Sequence, residues 1–495
     1  MLDIRITGAR IYDGTGNPWY YGDIGIAEGR IVSIGIIGQD AGKTIDGDGL
    51  VICPGFIDVH THSEGIVGSP TADNVVRQGV TTVVSGNCGG SGFPIKDALE
   101  KVEAASPAIN YATLVGHGTI RRRVMGMASR KPTREELTQM CQLVEQAMRE
   151  GAVGMSTGLF YVPGAYAELD ELVEVSKAIA AYGGVYASHK RSAGGKIFES
   201  IQEAAAIGKQ ANISIEISHL KVLHKVGRTA EDRVDKVIAA IAQYREDGID
   251  ITYDLHPYPA TFTGLAAVVI PPWVSIDGKL KERLQDDEIR EKIRADVASN
   301  IAWIGGGDKI TIAKFTPDNS VAGKSLEDVA RQRNQDVVTT AMDMIVEGSP
   351  SCIFHALRPE DVSKIICSEN AMIASDGGIV PSQEGVVHPR NYGTFPRVLR
   401  EYVRENGLMT LEEAVRKMTS LPARKFGILD RGIIAVGMKA DMVLFDPKTV
   451  ADEATFSNPH AFTTGINWII VNGHIAWDGS SISEHRTGQV IRHLS

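Results

Sequence analysis

The chain has 495 residues, 43% hydrophobic and 23% charged, which is ordinary for a folded protein and too long for one average domain. Its 61 acidic against 51 basic side chains give a net charge of -10, which argues against a nucleic-acid surface. No apolar run suits a membrane span, the start alternates like a strand instead of a signal peptide, and five scattered cysteines suit a reducing cytoplasm.

In chain order, alternating segments at 4–9, 21–27 and 30–36, parted by Gly-rich turns, read as strands of a first β region over residues 1–58. From 59 to 418, short apolar strands alternate with helical periods. Strands fall at 81–85, 111–115, 153–156, 185–188, 214–218, 249–253 and 371–374, and helices include 134–150, 169–181 and 196–209. About eight such units predict an α/β fold, a closed (β/α)8 barrel of the TIM type. Right-handed crossovers then put every strand's C-terminal end on one face. A segment at about 261–313 carries Pro271-Pro272-Trp273 and a charged helix. Residues 419–495 return to strands at 437–445, 468–471 and 474–477. Neither flank can bury a core alone, so the two chain ends are expected to form one small β-sandwich.

Chemistry-bearing side chains gather at the predicted strand ends. The apolar run Val51 to Ile57 closes in Asp58-Val59-His60-Thr61-His62, and histidines at i and i+2 on a strand share a face. Taken alone, the pair is either a metal grip or two half-exposed histidines. Strand 81–85 runs into Gly86-Asn87-Cys88, two later strands end in His189 and His219, and another ends in Ser375-Asp376. One lone cysteine or strand-end histidine is ordinary. Five His or Cys and one carboxylate on a single rim are the donor mix of zinc or a similar divalent ion. Lys221, two residues past His219, shares its face, and Arg390 offers a planar fork for a carboxylate. On spacing alone both could equally be surface ion pairs.

The stretches PGFIDVHTH (54–62), SGNCG (85–89), LVGHGTIR (114–121), GAVGMSTGLFYVPGA (151–165), YASHKR (186–191), ISHLK (217–221), ASDG (374–377) and HPRNYGTFPRVL (388–399) resemble the amidohydrolase superfamily. Within it they resemble the N-acyl-D-amino-acid deacylase (D-aminoacylase) family, over nearly the whole chain. The resemblance implies hydrolysis of an N-acyl-D-amino acid, a small-molecule substrate, to a carboxylate and the free D-amino acid. It implies one tightly bound zinc on Cys88, His189 and His219, and a weaker second position lined by His60, His62 and Asp376. It gives Asp376 the general acid/base role, and Lys221, Tyr258 and Arg390 the substrate's carboxylate. It makes the 261–313 segment a lid.

Two positions depart from the family pattern: His256 stands where relatives usually read tyrosine, and Leu220 where better-known members carry a second histidine. If the first aromatic of that motif binds substrate, His256 must replace it. The alternatives are a cyclic amidase of the dihydroorotase or hydantoinase kind, which expects a bridging lysine where Cys88 stands, and a non-catalytic scaffold, which expects a lost ligand. A homo-oligomer is compatible with either. His117 reads as a loop hydrogen-bonder, Arg121-Arg122-Arg123 as a solvated helix start, and Cys53, Cys141, Cys352 and Cys367 as core filler. Cations at Lys190, Arg191 or Lys225, if they border the pocket, would favour an acidic substrate side chain.

Overall fold

The computed structural model describes residues 1–224, 232–381 and 385–493. Both chain ends join in one eight-stranded sheet. The start of the chain supplies Leu2–Ile11, Tyr20–Ala27, Arg30–Gly35, Ala41–Asp46 and Val51–Pro54, and its end supplies Met442–Phe445, Ile466–Val471 and His474–Trp477. The seam between them is antiparallel, with Cys53 opposite Val443. Leu2, Ile4 and Ile6 are buried in alternation with more exposed neighbours, the period of a half-buried strand. That long first strand pairs with Ala41–Asp46 along its start and with Val51–Pro54 at its end. The sheet thereby encloses a core that includes Ile6, Ile24, Ile45, Ile52 and Leu444.

Eight parallel strands follow. They are β1 (Phe56–Asp58), β2 (Val80–Ser85), β3 (Asn110–Thr113, continued by Val115–Gly116), β4 (Gly154–Gly158), β5 (Val185–His189), β6 (Ser214–Ile217), β7 (Ile251–Leu255) and β8 (Ala371–Ile373). Each pairs with the next. The ring closes just past β8, where Gly377 and Gly378 pair with Thr61 and His62 and the Asp376 amide donates to the His60 carbonyl at 2.7 Å. Asp58 at the end of β1 accepts from the Ser375 amide at 3.0 Å, a further stitch across the closure. The expected (β/α)8 barrel is therefore present. Every residue of β2 is buried, as befits a strand covered outside by helices and inside by packed side chains. Among those helices, Arg134–Arg149 starts on a capping box between Thr133 and Glu136.

Between β7 and β8 the chain leaves the barrel. Thr261–Gly264, Ile310–Lys314 and Ser351–Phe354 form an antiparallel sheet with Ser351–Phe354 in the middle. Helices Asp287–Ile304 and Val337–Glu347 pack on it around a separate core that includes Ile293, Val297, Ile312 and Met344. This inserted unit runs to Phe354, beyond the 261–313 expected, because its central strand comes last in sequence. Among the described residues no helix is long and apolar enough to cross a membrane.

One expected surface residue is internal. Arg121 is fully buried, its guanidinium on Glu171 (Nε–Oε1 3.0 Å) and on the carbonyls of Ala128 and Arg130. His117, which opens a helix, shares the same carboxylate at 2.9 Å. Of the cysteines read as core filler, Cys53 and Cys352 are buried while Cys141 and Cys367 are partly exposed.

Candidate metal centre

The C-terminal ends of β1, β2, β5, β6 and β8 bring the six sequence-predicted donors together. Cys88 Sγ lies 3.3 Å from His189 Nδ1, 3.5 Å from His60 Nε2 and 3.7 Å from His219 Nε2. Around Asp376 Oδ1, His60 Nε2 stands at 3.6 Å and His62 Nε2 at 3.5 Å. Two donor groups emerge, His60 with Cys88 and His219, and His60 with His62 and Asp376. His60, His219 and Asp376 are buried, Cys88 and His189 are partly exposed, and His62 stands exposed at the rim.

The backbone is bent to deliver them. Cys88 (φ 54°), His219 (φ 34°) and Asp376 (φ 49°) all take the left-handed conformation, uncommon for residues with a Cβ. Such strain persists only where its surroundings enforce it, and it clusters at functional sites. Part of the enforcement is Gly158 at the end of β4. A Cβ there would stand 2.1 Å from the Cys88 carbonyl oxygen, so only glycine lets the Cys88 loop lie against the strand end.

Whether these residues fit a zinc ion can be judged from their spacing. Tetrahedral zinc with Zn–S near 2.3 Å and Zn–N near 2.0–2.1 Å needs S···N separations of about 3.6 Å and N···N of about 3.3 Å. The three sulfur–nitrogen distances, 3.3 to 3.7 Å, bracket the first value. His189 Nδ1 and His219 Nε2, at 2.7 Å, are closer than the second and must part by about half an ångström to share an ion.

The electrostatics agree. Burial would raise the Cys88 thiol, but the imidazoles of His189 and His60 outweigh it and hold the group well below the ordinary thiol range. Burial pushes His219 and His189 down, with Lys221 adding to the effect. His60 goes the other way: burial disfavours its charge, but Asp254 and Cys88 prevail and raise it. A thiolate with an attracted proton stands where a cation would be at home.

Asp254, which sequence reasoning missed, anchors this arrangement. Its Oδ2 meets His60 Nδ1 at 3.1 Å and its Oδ1 accepts the His219 amide at 2.9 Å. Its position in β7 beside a predicted rim was the available signal.

Asp376 has two faces. Oδ1 looks to the histidines, while Oδ2 accepts from Arg390 Nη1 at 2.8 Å and lies 3.7 Å from Lys221 Nζ. Burial would raise this carboxyl, but Arg390 and then Lys221 hold it well below the usual carboxylate range. An open cavity of about 520 Å³ borders Cys88, His62, Asp376, Arg390 and Lys221. His256 and Tyr258 do not reach it. They are buried, with both His256 ring nitrogens and the Tyr258 hydroxyl unpartnered among the described residues. Tyr161, given no role from sequence, does line the cavity, its hydroxyl 3.1 Å from Thr263 Oγ1. Lys190 is buried and donates to the His219 carbonyl at 3.2 Å. Arg191 is held by Glu203 at 2.9 Å, and Lys225 lies outside the described residues.

The sequence profile of the amidohydrolase family matches residues 43–264 and 373–476. The D-aminoacylase of Alcaligenes xylosoxydans xylosoxydans is 35% identical, over 99% of this chain and 97% of its own. The N-acyl-D-glutamate deacylase of the same organism is also 35% identical, over 99% and 96%. Among solved structures, the N-acyl-D-glutamate deacylase of Bordetella bronchiseptica, complexed with zinc and a phosphonate inhibitor that mimics the reaction's tetrahedral intermediate, matches with a TM-score of 0.85. It is 34% identical and covers 99% of both chains.

Proposed function

The chain belongs to the amidohydrolase family, among its N-acyl-D-amino-acid deacylases, and we propose that it hydrolyses the amide bond of N-acyl-D-amino acids to a carboxylate and the free D-amino acid. The observation that carries this reading is the two-faced Asp376, between metal donors on one side and two cations on the other. Cys88, His189 and His219 would hold one zinc ion tightly, and His60, His62 and Asp376 line a weaker position. Zinc bound there lowers the pKa of a water and polarises the scissile carbonyl.

The chain's own residues do the rest. Arg390 and Lys221 take the substrate's α-carboxylate, which fixes the amide nitrogen beside Asp376. Asp376 accepts a proton from water as the new C–O bond forms, then returns it to the nitrogen as the C–N bond breaks. The oxygen leaves with the acyl carboxylate and the proton with the amine. His256 and Tyr258, set back from the cavity, have no part in these contacts. All five cysteines are unpaired, which suits a reducing cytoplasm.

Zinc-loaded protein assayed against N-acetyl-D- and L-amino acids and cyclic amides tests the reading. Turnover of D-substrates is expected; turnover confined to L-substrates or cyclic amides would refute it. Asp376→Asn should keep the tightly held metal and lose about 10²- to 10⁴-fold in kcat. Activity retained in that variant removes Asp376 from the acid/base role.

A further inference from the structure

A second cavity, of about 110 Å³, opens beside the first, past His189, His219 and Lys221. Its walls are Phe160 and Leu223 from the barrel, and Phe262, Val268, Ile304 and Phe354 from the inserted unit. We propose, building on the deacylase reading above, that this side cavity receives the side chain of the D-amino acid, and that the insertion restricts it to aliphatic side chains.

Lys221 borders both cavities. A substrate whose α-carboxylate rests on Lys221 and Arg390 therefore has its Cα at the mouth of the side cavity. Its acyl group, across the amide, is left to the open cavity with Cys88 and Asp376. The three substituents of the reacting centre thus find three different surroundings.

The chemistry of the side cavity then selects among side chains. Two cations touch it: Lys190, which spends one of its three donors on the His219 carbonyl at 3.2 Å, and Lys221, which serves Asp376 and the α-carboxylate. Among the described residues no arginine lines it. A side-chain carboxylate would be stripped of water there among mostly apolar walls, with Lys190 alone to meet it, which is costly. Size points the same way. A dry apolar cavity of about 150 Å³ takes a benzene ring, so 110 Å³ suits a branched aliphatic or thioether chain. Val268, Ile304 and Phe354 also fall between the two segments matched by the family profile. Three of the six walls therefore lie outside the part of the chain that carries the shared chemistry.

The test is kcat/KM of the zinc-loaded enzyme for N-acetyl-D-leucine, -methionine, -alanine, -glutamate and -aspartate. D-Leu and D-Met should exceed D-Glu and D-Asp by about 100-fold or more. Ala356→Phe, which projects a ring into the cavity from the inserted unit's side, should lower the ratio of D-Leu to D-Ala turnover by about tenfold or more. Val268→Phe makes the same intrusion from another element and serves if the first variant does not fold. Turnover of D-Glu or D-Asp equal to that of D-Leu overturns the aliphatic assignment. An unchanged D-Leu to D-Ala ratio in both folded variants overturns the cavity assignment. Silence towards every D-substrate, D-Ala included, overturns the deacylase reading itself.

Discussion

Asp254 binds two elements of the centre with one carboxylate. By meeting His60 Nδ1 it turns Nε2 towards Cys88, and by accepting the His219 amide it holds that residue's left-handed backbone. Outer partners of this kind are worth about 10- to 100-fold in metal affinity. Asp254→Asn should therefore weaken zinc binding by that factor, read by competition with a chelator; unchanged affinity would reduce Asp254 to a buried spectator. The six donors were legible because each stands where an apolar strand stops. Asp254 was not, since it lies one residue inside Ile251–Leu255 and reads as a stray polar residue in a strand. The left-handed turns at Cys88, His219 and Asp376 were equally hidden, because nothing in those residue types announces a positive φ. The resemblance gave His256 and Tyr258 a substrate contact, but spacing beyond a strand end does not say which way a loop side chain faces, and both are buried away from the cavity.

At the scale of elements, the fit of the Cys88 loop on the end of β4 depends on one missing methyl group. In Gly158→Ala the new Cβ meets the Cys88 carbonyl, so loop or strand must move. Overpacking of this kind costs about 1–3 kcal/mol, and here the movement falls on a ligand. The variant should melt earlier and hold less zinc per chain; a wild-type melt with full zinc content would show that the loop can yield freely. The helix Leu411–Met418 makes a different demand, since its Lys417 reaches inward to the carbonyls of Ser368 and Ala371 at the start of β8. Burial lowers the Lys417 ammonium to about 8 from its ordinary 10.5, with Glu413 offsetting part of the effect. Between those values the unfolded chain still holds the proton that the folded chain has shed, so this group's contribution to stability rises with pH and is lost as pH falls through 8. Relative to Lys417→Met, the wild type should gain up to about 3 kcal/mol across that window in denaturant titrations. Parallel pH profiles would mean that the ammonium is not desolvated. The barrel elements could be read because apolar strands alternate with amphipathic helices. The inserted unit resisted, because its sheet pairs strands out of chain order and the strand that completes it is four residues long.

Across the whole molecule, the β domain and the barrel are joined at the barrel's N-terminal face, opposite the metal donors. Asp441, beside the seam strand Met442–Phe445, is buried and contacts Arg431 (Nε–Oδ2 2.7 Å, a meeting of charges more than an aligned hydrogen bond). It also accepts from Asn110 Nδ2 at 2.9 Å, at the first residue of β3, and from the Asn472 amide at 2.5 Å. Asn472 in turn donates to Asn110 Oδ1 at 2.7 Å. The last residues of the chain then run back along β3, with Tyr111 donating to Gln489 and accepting from Ile491. One carboxylate thus ties the C-terminal part of the β domain to a barrel strand. Removing one partner of a buried ion pair costs about 3–5 kcal/mol, because the other charge is left without compensation. Asp441→Ala takes from Arg431 its buried partner, leaving it the half-exposed Asp430, and leaves two buried donors, Asn110 Nδ2 and the Asn472 amide, without this acceptor. Thermal unfolding should therefore begin well below the wild-type temperature. Catalysis is built at the other end of the strands, where barrel enzymes keep their chemistry, so kcat/KM at 25 °C should stay within about twofold. A large loss of activity in folded Asp441→Ala protein would mean that the β domain shapes the metal centre through the barrel as well as stabilising the fold.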